Sequence, residues 1–363
     1  MALSATAIVA LTLTACGSDN NSGAASPAAA GDAAASAECG GKNGVTAEGS
    51  TAQQNAIAEF NKAWGQACPG KNLSYNPTGS GAGREQFIAK QVDFAGSDSA
   101  LSGDQITAAA ERCGGNPAWN LPVVFGPSAM AHNLEGVDKL VVYGDVLAKM
   151  FQGQVTKWND PAIAALNPGV NLPDADVKPI YRSDSSGTTD NFQKYLAAAA
   201  PQAWTKGAGS EFNGGAGEGA QKSAGVVQAV QATPGAIGYV EKGFAEQAGL
   251  PFAQVDTGSG AVELTDESAG KAIDAATFAG EGEDLVLTLD ALYASTEEGA
   301  YPLVQATYEI VCSKGYDADT ASAVKSFLTV AADQGQANLS PAGYVPLPDT
   351  FKERLVTSIN AIS

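Results

Sequence analysis

The chain has 363 residues, with 39 Asp and Glu against 20 Lys and Arg, giving a formal charge of -19 at neutral pH. Such a length accommodates about two domains with a substantial core, and a hydrophobic share of 44% excludes a disordered or fibrous chain. The charge excludes a nucleic-acid partner, which would need a Lys/Arg surface to displace counterions; it does not exclude a small anion site, whose donors act at contact distance.

At the N-terminus, MALSATAIVALTLTAC is an apolar run too short to span a bilayer. Its end, Leu13-Thr14-Ala15-Cys16, resembles the lipobox of bacterial lipoprotein signal peptides, although no Lys or Arg precedes the run. Residues 1–15 are therefore expected to be a signal peptide and Cys16 a lipidated anchor. Residues 16–39, rich in Ser, Ala and Gly, read as a flexible tether. Cys39, Cys68, Cys113 and Cys312 allow two disulfides in an exported chain, with all three pairings open. No two of them form a CxxC and His132 is the lone histidine, which argues against a zinc site.

After the tether, apolar strands alternate with helical patterns. Residues 45–46 lead into a helix over 52–64, where Ile57, Phe60 and Trp64 recur at helical spacing; a strand over 73–76, a helix over 84–91 and a strand over 92–95 follow. Further on come a strand at 123–125, a helix over 144–151, a strand over 177–182, a helix over 190–200 ended by Pro201, and a strand over 236–240. This order predicts an α/β fold with mainly parallel sheets. The Gly-, Ala- and Ser-rich segment 205–225 reads as a surface loop.

Open parallel sheets bind ligands beyond the carboxyl ends of their strands, where loops feed helix N-termini. Three such junctions are rich in polar residues and glycine. In YNPTGSGAGREQF, 75–87, Gly79, Gly81 and Gly83 permit close backbone approach and Ser80 offers a hydroxyl, but the stretch has neither the lysine of a P-loop nor the spacing of a dinucleotide fingerprint. In VDFAGSDSALSGDQ, 92–105, a strand ends in Ser97-Asp98-Ser99, and Ser102 reads as an N-cap with Gln105 in the capping-box position. Asp98 is there either a loop residue bonding nearby amides or an acceptor facing a ligand. In YRSDSSGTTDNFQKYL, 181–196, a strand delivers Arg182 to a turn where Ser186, Gly187 and Thr188 meet the positive end of a helix. Capping needs one hydroxyl; this density of donors beside a guanidinium describes an anion socket. The turn Gly49-Ser50-Thr51-Ala52 can add the Thr51 hydroxyl and the Ala52 amide.

Together these stretches resemble the phosphate-binding lipoproteins of bacterial ABC-type phosphate importers, over nearly the whole mature chain. The resemblance rests on GST at 49–51, TGSGAG at 78–83, VDFAGSDSAL at 92–101, QVTKWNDPAIAALNPGVNLP at 154–173, RSDSSGTT at 182–189 and GAIGYVE at 235–241. It implies a two-domain periplasmic-binding-protein-like α/β fold with a hinged cleft, domain I being 40–123 plus 299–363 and domain II 124–298. It implies phosphate held by the hydroxyls of Thr51, Ser80, Ser186 and Thr188 and the amides of Ala52, Ser80, Gly187 and Thr188. Arg182 would pair with the anion, Asp184 would hold that guanidinium, and Asp98 would accept the proton of bound phosphate. Also implied are delivery to a permease with its ATPase, a lipid anchor on the outer face of the cell membrane, a monomeric state, and no cofactor or metal. Two positions depart from the family: Ala52 stands where Phe or Leu is frequent, though only its amide is needed, and Ser185 stands where Gly is frequent.

An aspartate in an anion site has a chemical use. Phosphate near neutral pH retains a proton that a carboxylate can accept, whereas sulfate has none, so Asp98 argues against a sulfate or molybdate binder. A secreted phosphatase is the other alternative; the chain has no GxSxG elbow, and His132 sits in an apolar, structural context. The acidic residues 281–284 read as a solvated face, and 340–350 as packing for the C-terminal helix.

Overall fold

The computed structural model describes residues 38–363. The expected signal peptide, Cys16 and nearly all of the tether lie outside the described residues. The strands are β1 (Gly44–Gly49), β2 (Asn72–Pro77), β3 (Phe94–Ser97), β4 (Ala118–His132), β5 (Val141–Tyr143), β6 (Lys178–Arg182), β7 (Glu218–Ala220), β8 (Ala236–Glu241), β9 (Phe252–Asp256), the short β10 (Ala261–Val262), β11 (Thr277–Phe278) and β12 (Leu287–Thr288), and β13 (Val304–Cys312).

The main path of strands runs β2-β1-β3-β13-β4-β8-β6-β7. Parallel pairs lie towards its two ends, where β1 sits between β2 and β3 and β6 sits between β7 and β8. Antiparallel β13 and β4 join those ends. β4 bonds to β13 from Ala118 to Pro127 and then to β8 from Ser128 to His132. Pro127, which has no N–H to donate, is the last residue of the β13 ladder. The register with β13 also shifts between Thr307 and Tyr308, opposite Pro122, where a ladder donor is again missing.

Both ends bury aromatic layers. Phe327, on the helix Ala318–Ala332, packs on Trp64 and Phe94 with ring centroids 5.4 and 5.5 Å apart. Phe192 stacks on Tyr239 at 4.4 Å and meets Phe151 edge-on at 4.9 Å. The segment before the last helix works as expected: Val345 bridges to Phe125, and Phe351 packs on the same ring at 5.3 Å. His132 is fully buried, and burial pulls its imidazole down to about 4, so it is neutral.

Several expected boundaries shift. β4 runs 15 residues where only 123–125 was read as a strand, because it is buried on both faces and its polar residues mask the run. β3 begins at Phe94 instead of residue 92. Two helices start earlier than expected, at Ser80 and Gly187, since their first turns are built from Gly, Ser and Thr and carry no apolar periodicity. Ser102 is not an N-cap: the helix Asp104–Arg112 is preceded by Gly103, with no side-chain cap bond. The segment 205–225 is not all loop, since it contains β7 and the start of the helix Lys222–Ala232.

Disulfides join Cys39 to Cys68 and Cys113 to Cys312. They close loops spanning 29 and 199 residues, and constraint of the unfolded chain grows with loop length. Urea denaturation of the two double Cys→Ser variants is expected to show Cys113/Cys312 losing about 1 to 2 kcal/mol more than Cys39/Cys68.

Candidate functional site

The carboxyl ends of the parallel strands bring the sequence-predicted residues together. β3 ends at Ser97, and Asp98 beyond it is only 3 % exposed. Its Oδ1 accepts from the hydroxyls of Ser50 at 2.6 Å and Thr307 at 2.7 Å, and its Oδ2 from that of Ser80 at 3.1 Å. The Ser80 oxygen in turn accepts from the Asp98 amide at 3.1 Å. Burial pushes this carboxyl up to about 6, assisted by the charge of Glu241 and opposed by the three hydroxyls.

Arg182, at the end of β6, is equally enclosed. Its Nε donates to Asp184 Oδ1 at 2.8 Å and its Nη2 to Asp184 Oδ2, while the Lys222 amide donates to Oδ1 at 2.9 Å. Burial pulls the guanidinium down, but the Asp184 bonds and charge reverse this and hold it above its ordinary value. Burial likewise pushes Asp184 up, and Arg182 more than reverses it. The pair is fixed in orientation, with Nη1 outside it, so the fork retains donors for an anion.

The helix Gly187–Ala199 is capped by Ser186, whose oxygen accepts from the Thr189 amide at 3.2 Å. The amides of Gly187 and Thr188 open the helix and have no intrahelical acceptor; Ser80 stands likewise at the start of the helix Ser80–Ile88. Two glycines let these junctions interlock. A Cβ on Gly187 would lie 2.6 Å from both Asp98 Cβ and Ser80 Oγ. At Gly79, with φ at +111°, a Cβ would lie 2.7 Å from Asp184 Oδ2. The Gly81 amide donates to the Ser185 carbonyl at 3.0 Å, adding a further link.

Thr51, Ala52, Ser80, Asp98, Arg182, Asp184, Ser186, Gly187 and Thr188 thus lie around one locus, but three of their expected donors are committed elsewhere, the Ser80 hydroxyl to Asp98 among them. The Ala52 amide donates to Ser50 Oγ at 3.0 Å, and the Thr188 hydroxyl donates to Glu241 Oε1 at 2.8 Å. Thr51 Oγ1 shares a hydrogen bond of 2.8 Å with Ser223. Sequence reading missed four supporting residues. Ser50 and Glu241 lay inside motifs already quoted, whereas Ser223 and Thr307 have no local signal. Asn191 also ties Asp98 to the helix start, its Nδ2 donating to the carbonyls of Asp98 at 2.7 Å and Gly187 at 2.8 Å. Among the described residues, no group of three or more His, Cys, Asp or Glu is placed to hold a metal. The locus therefore gathers a guanidinium, open amides and hydroxyls around one buried acceptor.

A PBP superfamily domain model matches residues 22–334. Phosphate-binding protein PstS 3 of Mycobacterium tuberculosis is 50% identical over 356 residues, 98% of this chain and 96% of that protein. The chain belongs to the PstS phosphate-binding protein family. Phosphate-binding protein PstS 2 of the same organism is 48% identical over 366 residues, covering all of this chain and 98% of its own. Among solved structures, a high affinity periplasmic phosphate-binding protein (PfluDING) superposes with a TM-score of 0.69 at 23% identity, covering 87% of this chain and 92% of that one. The fold is accordingly the periplasmic-binding-protein-like α/β fold.

A carboxyl whose folded value lies above its unfolded 3.8 stabilises the protein in its protonated form, and that contribution fades as pH rises through about 6. Asp98→Asn is therefore expected to flatten the fall in stability between pH 4 and 7 and to raise the unfolding free energy at pH 7 by roughly 2 kcal/mol in phosphate-free protein. Chemical denaturation across that range is the measurement.

Proposed function

We propose that the protein captures inorganic phosphate outside the cytoplasm and delivers it to an ABC-type phosphate permease and its ATPase. The observation that carries this reading is the buried Asp98 acceptor packed against the helix start at Gly187, with the Asp184-oriented Arg182 guanidinium reaching the neighbouring Gly79 turn. Arg182, the amides of Ser80, Gly187 and Thr188 and the Ser186 hydroxyl bind the oxyanion; Asp184 orients Arg182; Asp98, held by the Ser80 hydroxyl, accepts the proton that phosphate carries. Thr51 and Ala52 close the site from the end of β1. The names of the PstS relatives support the same ligand.

In this reading the segments 40–123 plus 299–363 and 124–298 are two lobes that open and close by bending near β4. The Thr51–Ser223 and Gly81–Ser185 bonds join the lobes when they are shut. Cys16 carries a lipid, the tether gives the binding domain reach, and the protein acts as a monomer. Among the described residues no helix is long and apolar enough to cross a membrane. The role is transport and not catalysis: His132 is buried without a partner, and no hydroxyl of the cradle is backed by a basic side chain that would activate it.

A charge-assisted bond to Asp98 is worth roughly 1.5 to 3 kcal/mol, and leaving a buried carboxylate against an unprotonated oxyanion costs at least as much. Discrimination against sulfate of about a hundredfold or more follows. Calorimetry is expected to give tight phosphate binding and no sulfate binding; absence of phosphate heat would remove the proposal. Asp98→Asn is expected to hold phosphate to within about tenfold while admitting sulfate. Arg182→Ala, which leaves Asp184 enclosed without its partner, is expected to weaken phosphate by about a hundredfold or more. Release of phosphate from a phosphomonoester would favour a phosphatase instead.

A further inference from the structure

Two consecutive residues of the helix Gly187–Ala199 grip the turn that carries Asp98. Asn191 Nδ2 donates to the Asp98 carbonyl at 2.7 Å, and the Ser99 hydroxyl donates to Asp190 Oδ2 at 2.6 Å. Ser99, Asp190 and Asn191 are all buried. Each grip is set by a partner of its own. The Tyr293 hydroxyl donates to Asn191 Oδ1 at 2.6 Å, which turns both Nδ2 protons onto carbonyls, those of Asp98 and Gly187. Lys194, one turn further along the helix, donates to Asp190 Oδ2 at 2.7 Å. Burial raises the Tyr293 hydroxyl above the ordinary tyrosine value, so it remains a donor. Both Nδ2 protons and the Oδ1 of Asn191 are thus engaged within the protein, and the amide has no proton to offer an anion.

Resting on the phosphate reading above and its two lobes, we propose that Asp190 and Asn191 form a closure latch that sets how long phosphate is held without touching it. Asp98 and Ser99 lie in the segment 40–123, and Asp190, Asn191 and Tyr293 in 124–298, so both bonds cross the cleft. They exist when the lobes are shut; on opening, the Asp98 carbonyl, the Ser99 hydroxyl, the Asp190 carboxylate and the Asn191 amide all return to water. Asp190 and Asn191 are positioning residues: they hold the 98–99 turn against the helix start, at the place where the absent side chain of Gly187 permits the approach.

The latch bonds replace bonds to water, so their net return is small and does not by itself shut an empty cleft. Shutting also brings the Glu241 charge against Asp98, a repulsion that acts in the same direction. Once phosphate has drawn the lobes together, the latch must break before the anion leaves. Its contribution therefore falls on dissociation, while association, which begins with the latch open, is indifferent to it.

Stopped-flow kinetics of the full chain with inorganic phosphate, with calorimetry for Kd, test the proposal on the wild type, Asn191→Leu, Ser99→Ala, Tyr293→Phe and the double variant Asn191→Leu/Tyr293→Phe. Asn191→Leu is expected to raise koff by about tenfold, and Ser99→Ala, which removes a bond to a charged acceptor, by about tenfold or more. Tyr293→Phe leaves the amide in place but unoriented and is expected to raise koff by about threefold. Because Tyr293 acts through Asn191, the double variant is expected to release phosphate no faster than Asn191→Leu alone. In all four kon is expected to stay at the wild-type value, which a merely structural defect in the cradle would not allow. Unchanged koff in Asn191→Leu and Ser99→Ala, or a fall in kon that accounts for the loss of affinity, overturns the inference while leaving phosphate binding intact. Absence of phosphate binding by the wild type overturns the functional reading itself. If Asn191→Leu does not fold, Ser99→Ala and Tyr293→Phe still decide the matter.

Discussion

A carboxylate sealed away from water has to be hydrogen-bonded where it sits, and Asp98 obtains its hydroxyl donors from three distant parts of the chain. Ser50 follows β1, Ser80 opens a helix after β2, and Thr307 lies in β13, more than two hundred residues further along. Each must be held to within a few tenths of an ångström, since an uncompensated buried charge costs more than any single contact returns. The sheet order answers to this need: β1, β3 and β13 are consecutive in space although they are not in sequence. The register shift opposite Pro122 falls beside Thr307, the residue that must reach Asp98.

The same economy resolves the conflict between an acidic chain and an anion site. Net charge sets a long-range field that salt screens, whereas the proposed site would act through a fixed guanidinium and backbone dipoles at contact distance. Asp184 belongs to this arrangement despite its sign. It fixes the Arg182 fork in one orientation, and it is itself held by the Lys222 amide and packed against the space that Gly79 leaves open.

Much of the site was legible because its residues exceed what local structure needs. A helix start requires one capping hydroxyl, and the stretch from Arg182 to Thr189 supplies several beside an arginine and a glycine; that surplus is visible in a single sequence. The α/β order was legible for a similar reason, since Ile57, Phe60 and Trp64 mark a helix face that the structure buries. Thr307 was not legible, because a threonine in a buried strand looks like any other β-branched residue until the fold shows which group its hydroxyl meets. Nor was the direction of the Thr188 proton. It depends on Glu241, fifty-three residues away, and only the fold makes them neighbours. The four cysteines left three pairings open for the same reason.

The disulfide between Cys113 and Cys312 has a mechanical meaning beyond its effect on the unfolded chain. Cys312 ends β13 opposite Ala118, the first residue of β4, so the bond rivets together the outer ends of the two strands that cross the molecule. The ladder between them is then a leaf spring clamped at one end, with its free end at Pro127, where β4 leaves β13 for β8. Bending confined to that free end would swing the β6 and β8 residues, Arg182 and Glu241 among them, while leaving Asp98 and its three hydroxyls undisturbed. On the proposed two-lobe reading the Asp98 acceptor would stay assembled as the lobes part, while Arg182 and the amides of Gly187 and Thr188 would travel.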